Sequence, residues 1–375
     1  MKIALVSNTA WSLVNFRSGL IGGLRASGHE VTVIAPRDDS VPRLLATGAR
    51  YRPVWLDNQG TNPAFDLWSL LELLRLFRDL RSDVAILYTV KPVVYASAAC
   101  RLLGVPYIAA ITGLGSAYLR GGWLARLLEG LWRLSLRRAH RVMFFNEDDR
   151  ALFLRKGLVR PESARLLPGE GIDVSHFSPV PAPALDTGED DGLHFTFVGR
   201  LLRDKGVMEF VDAARIVKAR HPEARFSMLG FIGARNPSAV DRAQVDAWVH
   251  EGVVSYLGTA QDVRGHLAQA SCIVLPSYRE GASRVLLEAM AMARPVIASD
   301  VSGCRHLVAD GRNGLLCRPR DAGDLALAME RFIALSAGER RAMGAEGRRR
   351  IAQEHDESRV VQAYLDEIAG IGGRP

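Results

Sequence analysis

Short runs of consecutive apolar residues recur along the chain and alternate with longer segments of helical periodicity. Four of the runs lie in each half of the chain. They are Lys2–Ser7, Val31–Ala35, Val84–Tyr88 and Tyr107–Ile111, then Phe195–Val198, Arg225–Leu229, Cys272–Leu275 and Pro295–Ala298. Because the runs are continuously apolar rather than alternating, they predict strands buried on both faces, as in parallel sheets. The expected class is therefore α/β, with helices on both sides of each sheet.

A proline-rich and then acidic segment separates the two halves. It covers residues 179–192 and is predicted to be a linker. The chain of 375 residues is long for a single core, and a new strand follows the segment at once. We therefore predict two Rossmann-like, doubly wound parallel-sheet domains facing a cleft, over residues 1–178 and 193–354.

The net charge of +7 belongs to the first half. Residues 1–180 contain 23 Lys and Arg against 15 Asp and Glu, whereas residues 181–375 contain 25 against 26. An excess of positive charge suits nucleic acid or an anionic membrane surface. No nucleic-acid-binding motif accompanies it, so nucleic acid is not expected. The four cysteines are widely spaced and indicate neither a zinc site nor a disulfide framework.

The densest candidate for chemistry follows the predicted strand Cys272–Leu275. A turn of small residues and a helix starting near Ser283 would direct backbone N–H groups and the positive helix end toward the crevice above the sheet. Glu280 in the turn and Glu288 in the helix could accept hydrogen bonds from sugar and ribose hydroxyls. The alternative is that Glu280 caps the helix and Glu288 lies on its solvated face.

A second candidate follows the predicted strand Phe195–Val198. There Gly199 is followed by Arg200 and Lys205, two cations that could both reach a diphosphate. Cations at a strand end stabilise the charge that builds on a departing phosphate. The alternative is that both are ordinary solvated residues in a loop.

Three motifs occur in order: G-R-x-x-x-x-K-G from Gly199, E-G-A-S-x-x-L-L-E-A-M from Glu280, and D-G-R-N-G-L-L from Asp310. Over essentially the whole chain the sequence resembles family 4 of the retaining glycosyltransferases, which have the GT-B fold. The resemblance implies three groups of donor-site residues. They are Arg200 and Lys205 with Gly199 at the diphosphate, Glu280 with the backbone of Gly281, Ala282 and Ser283 at the sugar, and Glu288 at the ribose.

The first half resembles the subgroup that extends sugars on polyprenyl-diphosphate carriers. The resemblance lies in Tyr88–Pro92, Leu103–Pro106 and Ile111–Gly115. It implies a UDP-N-acetylhexosamine or UDP-hexose donor and a lipid-linked saccharide acceptor in glycan assembly. The candidates for acceptor or phosphate contacts are Asn15, Arg17, Thr112, Gly113 and Gly115.

The first half also departs from the family. Many members have a histidine where this chain has Thr112-Gly113, and a glycine-rich loop in place of residues 8–12. For Arg17 the alternative is a surface arginine on the first helix.

The family resemblance also implies a mechanism. The product should keep the anomeric configuration of the donor, and the departing β-phosphate should take the proton of the acceptor hydroxyl. We expect no cofactor beyond the nucleotide sugar and no metal, because Asp-x-Asp is absent and only Glu147-x-Asp149 and Glu189-x-Asp191 approximate it. In this fold, residues 355–375 should form a helix that crosses back to the first domain.

The segment from Trp123 to Arg141 is predicted to be an amphipathic helix. Leucines form one face, arginines the opposite face, and Trp123 and Trp132 flank them. Such a helix could bind an anionic membrane surface; the alternative is a core-packing helix with a solvated basic face. No apolar run is long enough to span a bilayer, and the N-terminus reads as a strand rather than a signal peptide. We expect a cytoplasmic protein, peripheral on the inner face of the cell membrane.

Two other functions are open. A nucleotide-sugar epimerase of the same fold would use the same nucleotide site but would need a carboxylate or histidine at the sugar carbon. A membrane-surface binding protein without turnover would not need Arg200, Lys205, Glu280 and Glu288 together.

Overall fold

A computed structural model describes residues 1–56, 62–115, 118, 121–180, 192–233 and 236–372. The chain divides into two compact units, Met1–Gly171 together with the segment from Glu357 onward, and Ile172–Asp356. The sequence placed the end of the first domain at residue 178, after the division that the structure shows. Residues 181–191 of the predicted linker lie outside the described residues.

The first unit is built on a seven-stranded sheet in which all described neighbours are parallel. Its strands are β1 (Lys2–Val6), β2 (Glu30–Ala35), β3 (Arg50–Pro53), β4 (Val84–Tyr88), β5 (Tyr107–Ile111), β6 (Arg141–Phe144) and β7 (Ala164–Leu166). The order β3-β2-β1-β4-β5-β6-β7 reverses direction between β1 and β4. This topological switch point is where open α/β sheets bind ligands, at the carboxyl ends of the strands.

Helices cover both faces of this sheet. They begin with α1 (Ala10–Ala26), α2 (Val41–Ala46), α3 (Pro63–Leu80), α4 (Val90–Leu103), α5 (Gly122–Leu136) and α6 (Glu147–Arg155). Buried residues of α3, α4 and α5 share one core with β1, β4, β5 and β6; examples are Phe77, Ala96 and Trp132. These three helices therefore form one layer on one face of the sheet.

The second unit has a six-stranded parallel sheet. Its strands are β8 (His194–Val198), β9 (Arg225–Leu229), β10 (Ser255–Tyr256), β11 (Cys272–Leu275), β12 (Val296–Ser299) and β13 (Leu315–Cys317). The order β10-β9-β8-β11-β12-β13 places the switch point between β8 and β11. Both motifs that the sequence predicted for chemistry follow these two strands.

The helices of the second unit enclose its sheet from two sides. They are α7 (Val207–Lys218), α8 (Arg242–His250), α9 (Arg264–Gln269), α10 (Arg284–Ala291), α11 (Ala322–Ile333) and α12 (Ala337–Glu354). Phe197 and Phe210 belong to the core on the α7 and α11 side, and Ile273 and Met290 to the core on the α10 side. A capping box of Ser336 and Glu339 starts α12.

The last helix, α13 (Glu357–Gly372), belongs to the first unit and packs against α1. Glycines in α1 permit this close packing: a Cβ on Gly23 would lie 2.3 Å from Cγ1 of Val361. A Cβ on Gly19 would lie 2.1 Å from Oε2 of Glu357. The two helices thus approach more closely than larger side chains would allow.

The amphipathic segment differs from its prediction. Its helix α5 ends at Leu136, and Arg141 starts β6 instead of lying on the helix, with its Nε 2.6 Å from the Glu367 carboxylate. Trp132, predicted on the flank, is fully buried between the rings of Tyr118 and Phe153. The side of α5 that faces the sheet packs into the core of the first unit, and the Trp132 ring is part of that core.

We predict that Gly23→Ala destabilises the protein and that Gly22→Ala does not. A new methyl group on Gly23 meets Val361, and such overpacking typically costs about 1–3 kcal/mol. Nothing lies within 4 Å of a Cβ on Gly22, so that substitution should gain up to about 1 kcal/mol of helix propensity. Urea unfolding of both variants measures the difference. Equal stability of the two variants would contradict the close packing of α1 and α13.

Candidate functional site

Two loops meet at the switch point of the second unit. One runs from Gly199 after β8 through a 3-10 turn, Arg203–Lys205, into α7. The other runs from Pro276 after β11 to Ser283, which starts α10. The structure therefore brings both predicted donor segments to the same edge of one sheet.

The backbones of these loops are in close contact. Gly206 has φ of +75°, and a Cβ there would lie 2.0 Å from the Pro276 carbonyl oxygen. Only glycine combines this left-handed conformation with the absence of a side chain. The carbonyl oxygen of Asp204 accepts hydrogen bonds from Tyr278 N at 2.9 Å and Ser277 Oγ at 3.2 Å. The relative position of the loops is thus fixed by main-chain groups.

Lys205 and Glu280 form an ion pair across the two loops. Lys205 Nζ lies 2.5 Å from Glu280 Oε1, and the side chains are 23% and 10% exposed. The Glu280 backbone N–H donates to the Ser302 carbonyl oxygen at 3.2 Å. Arg200 is exposed and has no ion pair within the part of the chain that the structure describes. An anion that binds beside this pair would have to share Lys205 with Glu280.

The cap of α10 is Ser283, whose Oγ accepts from Leu286 N at 3.4 Å. Glu280 therefore does not cap the helix, and the carboxylate is left for Lys205. Gly281 and Ala282 lie half-buried between Glu280 and the cap.

Glu288 does not lie on a solvated face. Its Oε1 accepts from Arg284 Nε at 2.9 Å, and its side chain is 14% exposed. Burial raises the pKa of the Glu288 carboxyl above its usual value, and the neighbouring Arg284 partly opposes the rise. A buried carboxylate one turn from its cation is a good acceptor for a hydroxyl that displaces or joins the arginine.

Sequence reasoning missed part of the network. The Tyr278 hydroxyl donates to Glu209 Oε1 at 2.6 Å, and the Arg320 guanidinium lies 4.5 Å from the Tyr278 ring centroid. Tyr278 lies two residues before the motif that starts at Glu280, in the turn that the sequence had marked for chemistry, and could have been singled out. Glu209 and Ser302 carry no sequence signal, because their contacts come from helix α7 and from the loop after β12.

Arg17 is buried in the first unit rather than exposed on α1. Its Nη2 lies 2.5 Å from Glu170 Oε1, and its guanidinium lies 4.1 Å from the Tyr88 ring centroid. Burial acts to lower the pKa of Arg17, but Glu170, Tyr88 and Tyr364 together oppose burial and the pKa is raised. The alternative of a surface arginine is wrong. Contact with an acceptor phosphate stays a prediction, and it would require Arg17 to share its charge with Glu170.

The other candidates of the first unit lie on helix α1 and in the segment after β5. Asn15 is on α1, where its Nδ2 donates to the Trp11 carbonyl oxygen at 2.8 Å. Thr112 and Gly113 directly follow β5, and Gly115 has φ of +75°. The structure brings these three residues to the carboxyl edge of the sheet, the edge at which α/β proteins bind ligands. Their contact with an acceptor stays a prediction.

The described ranges contain neither a cluster of metal-binding side chains nor a helix that could span a membrane. No three His, Cys, Asp or Glu side chains there come together in a way that could hold a metal ion. None of the described helices combines the length and apolarity that crossing a bilayer requires.

Family comparison assigns both halves to glycosyltransferases. Residues 15–170 match the family described as glycosyl transferase 4-like domain, and residues 192–334 match the family described as glycosyl transferases group 1. With two parallel-sheet α/β units and the donor motifs at the switch point of the second, the chain belongs to the family 4 glycosyltransferases of GT-B fold.

Relatives of known activity extend over much of the chain. One is the N,N'-diacetylbacillosaminyl-diphospho-undecaprenol alpha-1,3-N-acetylgalactosaminyltransferase of Campylobacter jejuni, 27% identical over 97% of this chain and 97% of its own length. Another is the UDP-Gal:alpha-D-GlcNAc-diphosphoundecaprenol alpha-1,3-galactosyltransferase of Escherichia coli, 24% identical over 71% of this chain and 70% of its own length.

Solved structures share the fold at lower identity. Anabaena HepE in complex with UDP and glucose superposes with a TM-score of 0.81 and 18% identity, covering 98% of this chain and 99% of HepE. Sucrose-phosphate synthase from Thermosynechococcus elongatus gives 0.79 and 21%, covering 99% and 100%. These structural similarities establish the fold and do not identify the substrates.

We predict that the Glu288 carboxylate makes nucleotide binding dependent on pH. If ionised Glu288 accepts hydrogen bonds from ribose, affinity should fall as pH decreases through its raised pKa, above the usual 4.5. Titration calorimetry at several pH values measures the affinity of the wild type and of Glu288→Gln for UDP. Protonation of UDP affects both proteins equally, so the ratio of the two affinities reports on Glu288 alone. A ratio that is constant with pH would contradict the ribose role.

Proposed function

We propose that this glycosyltransferase moves a hexose or N-acetylhexosamine from a UDP donor to a saccharide on a membrane lipid diphosphate, with retention of anomeric configuration. The observation that carries the proposal is the Lys205–Glu280 pair at the switch point between β8 and β11. The activities of the Campylobacter jejuni and Escherichia coli relatives support a lipid-diphosphate acceptor, and that of the Escherichia coli relative supports a UDP-sugar donor.

Donor binding would exchange the partners of Lys205. A diphosphate between Arg200 and Lys205 offers Lys205 a more highly charged partner than one carboxylate. Glu280, released from the ammonium group, can then accept hydrogen bonds from donor sugar hydroxyls. The ion pair of the free protein thus keeps both side chains in place until the donor arrives.

The chemical step needs no protein base. The bond from the sugar C1 to the β-phosphate oxygen breaks, and a bond from C1 to the acceptor oxygen forms on the same face. The acceptor hydroxyl proton passes to the departing β-phosphate oxygen. Arg200 and Lys205 stabilise the charge that grows on that phosphate, which is the largest contribution expected from this site.

Metal ions have no part in this proposal. Two cations at the strand ends would supply the charge that a divalent ion supplies elsewhere. Transfer that continues undiminished in excess EDTA would agree with this; loss of transfer that Mg²⁺ or Mn²⁺ restores would contradict it.

We predict that Lys205→Ala and Glu280→Gln each lower transfer on the order of a hundredfold or more, the usual effect of removing one group that stabilises transition-state charge. Arg203→Ala is the matched control, because it removes a positive charge from the same 3-10 turn outside the pair. Radiolabelled sugar transferred from UDP-sugars to synthetic undecaprenyl-diphospho-saccharides is the readout. Near-wild-type transfer by either site variant would contradict the assignment.

The same assay separates the epimerase. An epimerase would convert the UDP-sugar in the absence of acceptor and would leave the lipid unlabelled. A protein without turnover would do neither, while a transferase consumes the donor in step with labelling of the lipid.

We further propose that α5 contacts an anionic membrane, on the inner face of the cell membrane. Trp123, Arg126 and Leu127 are exposed, and Arg137 is exposed just past the helix end. The mixture of aromatic, leucine and arginine side chains on one exposed face suits the headgroup region of a bilayer.

For this contact we predict that Arg126→Gln weakens binding to phosphatidylglycerol vesicles about fivefold at low salt, since each basic residue near such a surface contributes about 1 kcal/mol. Arg359→Gln, an exposed arginine of α13, is the control and should change little. Vesicle sedimentation measures both. Equal effects of the two substitutions would contradict a specific contact through α5.

A further inference from the structure

The outward face of α3 is apolar where a surface helix normally carries polar residues. Its inward side chains, among them Leu73 and Phe77, are buried in the core of the first unit. On the opposite side Leu67, Trp68 and Leu71 are 56%, 62% and 53% exposed. The helix therefore has a second apolar surface that its own domain does not cover.

Two more aromatic residues extend this surface. The rings of Trp55 and Phe65 lie with centroids 4.9 Å apart, and both side chains are exposed. The Trp55 backbone is held to the helix, because its N–H donates to Glu72 Oε2 at 2.9 Å and its carbonyl oxygen accepts from Ser69 Oγ at 2.9 Å. We call this surface the aromatic patch. It consists of Trp55, Phe65, Leu67, Trp68 and Leu71.

Charged side chains of both signs border the aromatic patch. Asp66 is paired with Lys91 at 2.9 Å, and Glu72 accepts the Trp55 N–H, so both carboxylates are engaged by protein groups. Arg75 and Arg78 are exposed on the following turns of the same helix, and the exposed Asp79 carboxylate lies 4.0 Å from Arg75 Nε. Such an exposed pair contributes little, so both guanidinium groups are available to lipid phosphates next to an apolar patch.

We propose that the aromatic patch inserts into the headgroup–acyl boundary of an anionic bilayer, with Arg75 and Arg78 at the level of the lipid phosphates. This extends the proposed function, since an enzyme acting on a lipid-linked acceptor must meet the bilayer. The 18 residues of α3 span about 27 Å. Its aromatic first half and arginine-bearing second half predict that the helix enters obliquely, first half deepest.

A bilayer fits this surface better than a protein partner does. Helices α3, α4 and α5 form one layer on the sheet, and all three expose large apolar side chains; Leu102 of α4 is 70% exposed and Trp123 of α5 is 74% exposed. A protein partner usually buries one compact cluster of anchors in pockets. Apolar residues distributed over three helices, with arginines between them, match an extended lipid surface.

The test uses a fluorescent label at Leu71→Cys. The four native cysteines are buried, so an environment-sensitive maleimide reacts with the introduced thiol. The control is Leu327→Cys in the second unit, a leucine of similar exposure at 54%. Each labelled full-length protein is mixed with phosphatidylcholine vesicles with and without phosphatidylglycerol, in the absence of donor and acceptor.

We expect the Leu71 label to brighten and shift to the blue with phosphatidylglycerol vesicles and to be quenched by brominated acyl chains, whereas the Leu327 label does not respond. Trp68→Ser should weaken vesicle binding about tenfold, as expected for loss of one large inserted side chain. Trp68→Phe should largely restore it. Circular dichroism melting checks that the variants stay folded, as exposed substitutions should.

Three results would overturn the proposal. One is a silent Leu71 label on protein that sediments with the vesicles, and another is no vesicle binding at all. The third is concentration-dependent self-association that Trp68→Ser abolishes, because it would make the patch an interface between two copies. The vesicle experiments contain no sugar substrate. Failure of glycosyl transfer in the separate activity assay would therefore contradict the proposed function without affecting this result.

Discussion

The backbone contact between Gly206 and Pro276 is the constraint on which the proposed donor site depends. Parallel strands β8 and β11 end side by side at the switch point, and any side chain at residue 206 would collide with the Pro276 carbonyl oxygen of the other loop. The missing side chain at Gly206 lets the loops touch, and hydrogen bonds to the Asp204 carbonyl oxygen secure them. Lys205 and Glu280 project from the two joined loops. The backbone contacts between the loops therefore bring the two side chains together, and the loops do not depend on the ion pair. A site built in this way is organised before substrate binds, as electrostatic catalysis requires.

The first unit uses glycine for a different purpose. Gly19 and Gly23 allow α13 to pack closely on α1, which returns the end of the chain to the unit that contains its beginning. On the other face of the sheet, helices α3, α4 and α5 pack against the strands through buried residues such as Phe77 and Trp132. The outer side of these helices also exposes large apolar side chains. The packing of α13 on α1 therefore joins distant segments of the chain, and the layer of α3, α4 and α5 makes the proposed contacts with lipid.

The strands and the donor segments could be predicted because their signals are local. Continuous apolar runs gave β4, β5, β9 and β11 with the bounds that the structure has, and Gly199, Lys205 and Glu280 stand in motifs adjoining such runs. What could not be predicted depends on contacts between distant segments. Arg17 is buried because Glu170, far along the chain, supplies its counter-charge. Trp132 is buried because Tyr118 and Phe153 enclose it. Helical periodicity alone does not show which side of an arginine-rich helix will be buried.

The central claim is that the donor diphosphate replaces Glu280 as the partner of Lys205. The measurement that tests it most directly is a crystal structure of the protein with UDP, grown in the presence of EDTA. We expect the β-phosphate within hydrogen-bonding distance of Arg200 and Lys205, the ribose hydroxyls hydrogen-bonded to Glu288, and the Glu280 carboxylate separated from the Lys205 ammonium group. UDP bound at another place, or bound here with the Lys205–Glu280 pair intact, would contradict it.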